Sequence, residues 1–350
     1  MKKVGVLTGG GDCPGLNATI RAVVRKCITD YDYEMYGILE GWRGLIEGKV
    51  KILDHGSVSG ILPKGGTIIG TSRTNPFGKN NAGDPEKILD TIKRLGLDAI
   101  VSIGGEDTQG VAHKLFEMGV NIVSIPKTID NDLMGTDYTF GFDTAVNIAT
   151  EAIDRLHTTA ESHNRVMVVE VMGRHAGWIA TFSGIAGGAD VILIPEKPVK
   201  IDEVCELLKK RHKRGKRFSI VVVSEGIKIQ FENKEDEDFV LKDAKTDAFG
   251  HVTLGGVGPI LAKMIERRTG FESRCTVLGH ILRGGAPSAF DRVLGTRFGI
   301  AAAELIHKGE FGKMVVLRGN EILTIDLKDV SGQIKTVDDY WYNIAKVFFG

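Results

Sequence analysis

Two loops, Gly104-Gly105-Glu106-Asp107-Thr108 and Pro126-Lys127-Thr128-Ile129-Asp130-Asn131-Asp132, gather glycines, one lysine and four carboxylates. Each follows an apolar run that reads as a buried strand, Ala99–Ile103 and Asn121–Ile125. This inventory suits phosphoryl transfer with magnesium. Mg²⁺ takes one or two carboxylates and completes its shell with phosphate oxygens and water. An attacking hydroxyl needs a proton acceptor and charge stabilisation, and little covalent help. Asp130 and Asp132 lie two apart, so in an extended segment both project toward one space. One can act as base while the other orients a metal-bound water. The pair also reads as an Asp-rich turn, and Glu106 and Asp107 also read as acidic capping of a helix start.

A further glycine-rich loop, Thr8-Gly9-Gly10-Gly11-Asp12-Cys13-Pro14-Gly15-Leu16-Asn17, joins a strand to a helix. Its backbone N–H groups can face an anion at the helix N-terminus. It lacks the Gly-Lys-Ser/Thr ending of a Walker A loop and is not GxGxxG. A purely structural turn fits it equally well. Arg165, Met172-Gly173-Arg174, Glu225, Arg274, His280 and Arg283 stand at or near the ends of other apolar runs. Arginine matches a phosphate bidentately and histidine adds a donor.

The elements that must position these groups alternate. Candidate strands are Val4–Thr8, Ala99–Ile103, Asn121–Ile125, Arg165–Val171, Val191–Ile194, Ser219–Ser224, Arg274–Leu278 and Met314–Leu317. Helical patterns lie between them, including Asn17–Thr29, Pro85–Leu95, Thr108–Met118 and Val146–Thr159. This alternation predicts parallel sheets covered by helices, with ligands at the carboxyl ends of the strands. A length of 350 residues suits one large or two medium domains. We expect two α/β units meeting at a cleft, with a boundary near residue 140. The tract Phe231–Asp247 is expected to be a polar surface excursion. The basic run Lys209–Arg217 reads as a solvated helix end or as a phosphate-binding patch.

The 45 basic residues balance the 45 acidic ones, which gives no support for a nucleic-acid or membrane-surface partner. Cys13, Cys27, Cys205 and Cys275 form no CxxC or other metal-ligand spacing and read as reduced thiols. There is no signal-peptide pattern and no apolar run of membrane-spanning length, so the expected location is the cytoplasm.

The ordered motifs GGGDCPGLN (9–17), GGEDT (104–108), PKTIDND (126–132), SHNRVMVVEVMGRHAG (162–177), VVSEG (222–226) and LGHILRGG (278–285) make the chain resemble the 6-phosphofructokinase family over nearly its whole length. The resemblance implies the phosphofructokinase fold: two Rossmann-like parallel-sheet domains, helices on both faces, and the active site in the cleft between them. Residues 1–140 would bind the phosphoryl donor, completed by a segment near 255–310. Residues 141–350 would mainly bind the sugar phosphate. The implied reaction is phosphorylation of fructose 6-phosphate at its 1-hydroxyl to fructose 1,6-bisphosphate. Asp130 matches the general base, with Thr128 beside it. Glu106 and Asp132 match the Mg²⁺ positions. Gly11 and Arg73 match donor contacts. Met172, Gly173, Arg174 and Glu225 match sugar contacts, and His280 and Arg283 the 6-phosphate clamp. Arg165 and Arg274 match arginines that reach the sugar phosphate from a neighbouring subunit, which implies a homodimer or homotetramer.

The similarity is to the pyrophosphate-dependent branch. ATP-using members generally carry glycine where Asp107 stands, and many carry glycine at Lys127. A carboxylate fills and repels the place of an α-phosphate. Two like charges about 4 Å apart cost on the order of 4 kcal/mol at an effective dielectric near 20. Lys127 can neutralise the orthophosphate leaving group. Asp107 and Lys127 could also simply pair with each other. The implied reaction is pyrophosphate-dependent and reversible, serving glycolysis and gluconeogenesis, with an ATP-dependent 6-phosphofructokinase as the alternative. Arg21 and Arg25 match arginines of an effector site, but two further effector positions are His55 and His157. Histidine is only partly charged at neutral pH, so weak or absent control is expected. A non-catalytic sugar-phosphate sensor would not need Asp130 and Glu106. A lipid or NAD kinase would leave Arg165 and His280 unexplained.

Overall fold

A computed structural model describes residues 1–78, 83–230, 245–246, 252–253, 256–330 and 332–349. The chain divides into two compact units, 1–144 with 283–335, and 145–282 with 336–350. The return to the first unit therefore begins at residue 283. The stretch just before it does not belong there, because the Val257–Thr269 helix packs into the core of the second sheet. Most of the tract 231–247 lies outside the described residues.

The first unit is built on a seven-stranded sheet. Its order is Glu321–Asp326, Lys313–Arg318, Ile122–Pro126, Ala99–Gly104, Lys3–Thr8, Glu34–Ile38 and Val50–Leu53. The inner pairs are parallel, and only the two outermost strands run antiparallel to their neighbours. Ala99–Gly104 is buried at every residue, so helices cover both faces. One face packs Leu7, Ile100, Ile122 and Met314 against Leu45, Ile88, Val111 and Leu115, which come from three helices. The helices Leu16–Tyr31 and Ala289–Lys308 cross closely elsewhere in the unit. A Cβ at Gly299 would lie 2.7 Å from that of Ala22, so small residues set their separation.

The second unit holds a four-stranded parallel sheet, ordered Ser273–Val277, Val166–Val171, Ser219–Ser224 and Val191–Leu193. Its central strands are buried throughout and rich in valine, as doubly covered parallel strands are. The basic run forms the exposed end of the Ile201–Lys213 helix. Arg211 turns back to pair with Asp190 at 2.9 Å. Among the described residues, no helix is long and apolar enough to cross a membrane.

Asp291, in the first turn of the Ala289–Lys308 helix, is fully buried and accepts from the Thr144 backbone N–H at 2.8 Å. Burial raises its carboxyl from an ordinary 3.8 to about 6. A raised folded-state value means that this group favours the fold below about pH 4 and loses that contribution as pH rises through about 6. Asp291→Asn does not titrate. Its stability relative to the native chain is expected to improve between pH 4 and pH 7 by on the order of 3 kcal/mol. Urea unfolding across that range checks this, and a pH-independent difference would count against it.

Candidate active site

The glycine loop 9–11 leaves the carboxyl end of Lys3–Thr8, next to the carboxyl ends of Ala99–Gly104 and Ile122–Pro126. Three strand ends therefore converge. Thr108, buried in the first turn of the Glu106–Glu117 helix, is the wedge between them. A Cβ at Gly9 would sit 2.6 Å from Thr108 Oγ1, and one at Gly104 would sit 2.3 Å from Thr108 Cβ. These glycines are needed for close approach. Backbone bonds tie the same three ends: Gly9 N–H donates to Ile103 O at 2.9 Å, and Lys127 N–H to Gly104 O at 3.0 Å.

Lys127 is only 3 % exposed, and its ammonium donates to the Gly11 carbonyl. Burial lowers its pKa, and Arg283 pushes the same way while Asp12 and Asp130 oppose the shift. Asp107 is exposed in the first turn of its helix, and among the described residues it makes no ion pair with Lys127. Arg283 lies over the first loop, donating to the Asp12 carbonyl at 3.2 Å. Its guanidinium fills the place of a Cβ at Gly11. Arg73 is exposed, one residue after Ser72, whose carbonyl accepts from Gly10 N–H at 3.0 Å.

Asp130 is half-buried in a loop that is bonded internally. Its N–H donates to Thr128 Oγ1 at 3.1 Å, and Thr139 Oγ1 donates to Thr128 O at 2.7 Å. Asn131 adopts φ 51°, and its amide bridges Asp137 O at 3.2 Å and Thr139 N–H at 3.0 Å. Glu106 Oε1 accepts from Gly332 N–H at 3.0 Å. Glu106 Oε2 has no hydrogen bond among the described residues. No cluster of three or more metal-ligating side chains occurs among them. A Mg²⁺ held by carboxylates together with phosphate oxygens fits that donor set, and an all-protein cage does not.

In the second unit, Met172, Gly173 and Arg174 follow the carboxyl end of Val166–Val171, and Glu225 follows that of Ser219–Ser224. The two loops interlock. Glu225 N–H donates to Val171 O at 2.9 Å, Gly226 N–H to Gly173 O at 3.2 Å, and Ser224 Oγ to Gly173 O at 2.6 Å. Gly173 has φ 134°, which only glycine adopts comfortably. Arg174, Glu225 and His280 are exposed at this edge. His280 lies in the 3-10 turn Gly279–Arg283, just beyond Ser273–Val277. Arg165 and Arg274 stand at the opposite, amino end of the sheet. There they share Glu272 Oε1, at 2.7 Å and 2.6 Å. The Arg165 bond lowers the Glu272 pKa. A six-residue strand spans about 20 Å, so the sheet separates this pair from Met172 and Glu225.

Arg21 and Arg25 lie on the Leu16–Tyr31 helix and His55 is exposed, whereas His157 Nε2 donates to Gly187 O at 2.7 Å. Among the groups that brace these loops, Thr108 acts as wedge from within a motif, whereas Gly332, which tethers Glu106, and Lys335, whose ammonium donates to the Thr136 and Asp137 carbonyls, carry no motif signal. The wedge could have been suspected from Thr108 closing GGEDT. The other two are distant in sequence and lack any local pattern.

A phosphofructokinase family model matches residues 3–306. The chain is 58% identical to the pyrophosphate–fructose 6-phosphate 1-phosphotransferase of Streptomyces coelicolor, covering 99% of this chain and all of that one. It is also 49% identical to ATP-dependent 6-phosphofructokinase 3 of the same organism, over 98% of this chain and 99% of that one. A phosphofructokinase structure from Pichia pastoris superposes with TM-score 0.80 at 33% identity, covering 94% of this chain and 35% of the larger one. The chain belongs to the phosphofructokinase family. It is an enzyme, a phosphotransferase.

The glycine contacts predict a contrast. Gly104→Ala drives a methyl into the buried wedge and should cost about 1–3 kcal/mol of stability, as overpacking does. Gly11→Ala meets only the flexible end of Arg283. It should keep the melting temperature but lower turnover about tenfold or more by displacing that guanidinium. Thermal melts and initial rates on both variants test the pair of outcomes.

Proposed function

We propose that this enzyme transfers a phosphoryl group from pyrophosphate to the 1-hydroxyl of fructose 6-phosphate, giving fructose 1,6-bisphosphate and phosphate. The observation that carries this reading is the pairing of two charges around one glycine corner. The Lys127 ammonium is buried beneath the Gly11 loop, and the Asp107 carboxylate is exposed where the next helix begins. Glycine at Asp107 would leave room for a nucleotide. A carboxylate takes that room and repels an α-phosphate. The 58% relative, named for pyrophosphate, supports the same donor, and the 49% relative, named for ATP, supplies the alternative.

In this reading Asp130 accepts the proton of the sugar 1-hydroxyl as that oxygen attacks phosphorus. The bridging P–O bond breaks, and Lys127 neutralises charge building on the departing orthophosphate. Gly11 and Arg73 contact the donor. Glu106 and Asp132 would hold Mg²⁺, which supplies charge neutralisation for the phosphates when bound. Thr128 supports Asp130. Met172, Gly173, Arg174, Glu225 and His280 bind the sugar phosphate, and Arg283 serves the 6-phosphate after releasing the Asp12 carbonyl. The bond cleaved and the ester formed are closer in free energy than with ATP, so the reaction runs in both directions in the cytoplasm. Arg165 and Arg274, turned to the amino end of their sheet, serve the sugar phosphate of a second copy in a homodimer or homotetramer.

A donor comparison decides the reading. Turnover with pyrophosphate and little with ATP is expected, and turnover with ATP alone would overturn it. Asp107→Gly should raise ATP use, and Lys127→Ala should cut pyrophosphate turnover by two or more decades, as loss of a few kcal/mol of transition-state stabilisation does. Asp130→Asn should be nearly inactive. Mixing an inactive Arg165→Ala variant with inactive Asp130→Asn should restore part of the activity through hybrid oligomers. No recovery under subunit exchange would place Arg165 outside the neighbour's site.

A further inference from the structure

The loop that carries Asp130 and Asp132 is closed on its far side by a segment remote in sequence. Residues 332–335 lay five contacts across the first unit's loops. Gly332 N–H holds Glu106 Oε1 at 3.0 Å. Ile334 forms an antiparallel bridge with Leu133. Lys335 N–H donates to the Asp132 carbonyl at 2.8 Å. The Lys335 ammonium donates to the carbonyls of Thr136 at 2.8 Å and Asp137 at 2.9 Å.

The last two contacts are the informative ones. Asp137 O already accepts from Asn131 Nδ2, the side chain of the left-handed residue between Asp130 and Asp132. The ammonium therefore grips the carbonyl that Asn131 grips, and a backbone bond from the same lysine grips Asp132. A half-buried ammonium is costly to desolvate, so an apolar residue would be the cheaper way to fill the space. Two carbonyls aimed at one point need a donor there, and a cation meets both.

We infer that Lys335 is a positioning residue for the reaction: it fixes the turn 130–137 and through it the Asp130 carboxylate. This rests on the reading of Asp130 as the base. Removing the ammonium loosens the turn while leaving the donor loop and the sugar loops in place. The loss therefore falls on kcat and spares KM.

The test is a kinetic double-mutant cycle, assayed with whichever donor turns over. Lys335→Met should lower kcat about tenfold or more, because small misplacement of a catalytic group costs one to two decades. KM for both substrates should stay within about twofold, and Lys335→Arg should recover part of kcat. In the Asp130→Asn background, Lys335→Met should change the residual rate less than about twofold, since the group it positions is gone. A folded Lys335→Met enzyme with wild-type kcat overturns the inference, as does an equal loss in both backgrounds. If Lys335→Met does not fold, Lys335→Gln, which keeps a neutral donor, is read by the same criteria. Wild-type activity in Asp130→Asn alone would instead overturn the base assignment and leave a kcat loss in Lys335→Met unexplained by it.

Discussion

Everything in the first unit depends on how closely three parallel strand ends can approach. Gly9 and Gly104 give up their side chains so that Thr108 fits between the loops. Beside that contact the Gly11 carbonyl of the first glycine loop accepts from the buried Lys127 ammonium. A buried ammonium without partners would cost several kcal/mol. The Gly11 carbonyl offsets part of that cost, and the remainder shows as the lowered pKa of the lysine. Packing, backbone conformation and electrostatics at this corner are one constraint.

The same economy governs the second unit in a different form. Gly173, at φ 134°, lets the Met172–Arg174 loop bend back so that its carbonyl accepts from both Ser224 and Gly226. Those bonds fix the backbone of the loop and leave Arg174 and Glu225 exposed at the edge. At the opposite edge Glu272 pairs with Arg165 and Arg274 together and leaves one net positive charge among the three. On the proposed reading, a sugar phosphate reaching this edge would have to compete with that carboxylate for the two arginines.

What sequence patterns revealed divides along the same physical line. Val4–Thr8, Ala99–Ile103 and Ser219–Ser224 were legible because strands buried on both faces are continuous apolar runs. Val50–Leu53 and Glu321–Asp326 were not, because they are the outermost strands, largely solvated and carrying charged residues, and Glu34–Ile38 was not, because it is short and its apolar run is broken by Gly37. Short loops with their glycines and carboxylates were visible as motifs, since each motif is local. Lys335, Gly332 and Asp291 act across more than a hundred residues of chain. Nothing near them in sequence marks the partner that they meet in the fold.

The Glu106–Glu117 helix points its N-terminus at the space beside the glycine loop, and such an end attracts anions through its unpaired N–H groups. Two carboxylates in its first turn already satisfy part of that attraction. A long polyphosphate chain would have to lie along the same turn and meet both of them. A short donor, on the proposed reading, need only reach Lys127 and the metal that Glu106 would hold. The depressed pKa of Lys127 then has a use, because an ammonium held at a cost gains most when an anion arrives to face it. On the proposed reading donor length and cation placement are therefore linked: a carboxylate at Asp107 that excludes a nucleotide would be useful only in a chain whose buried Lys127 makes the shorter donor sufficient.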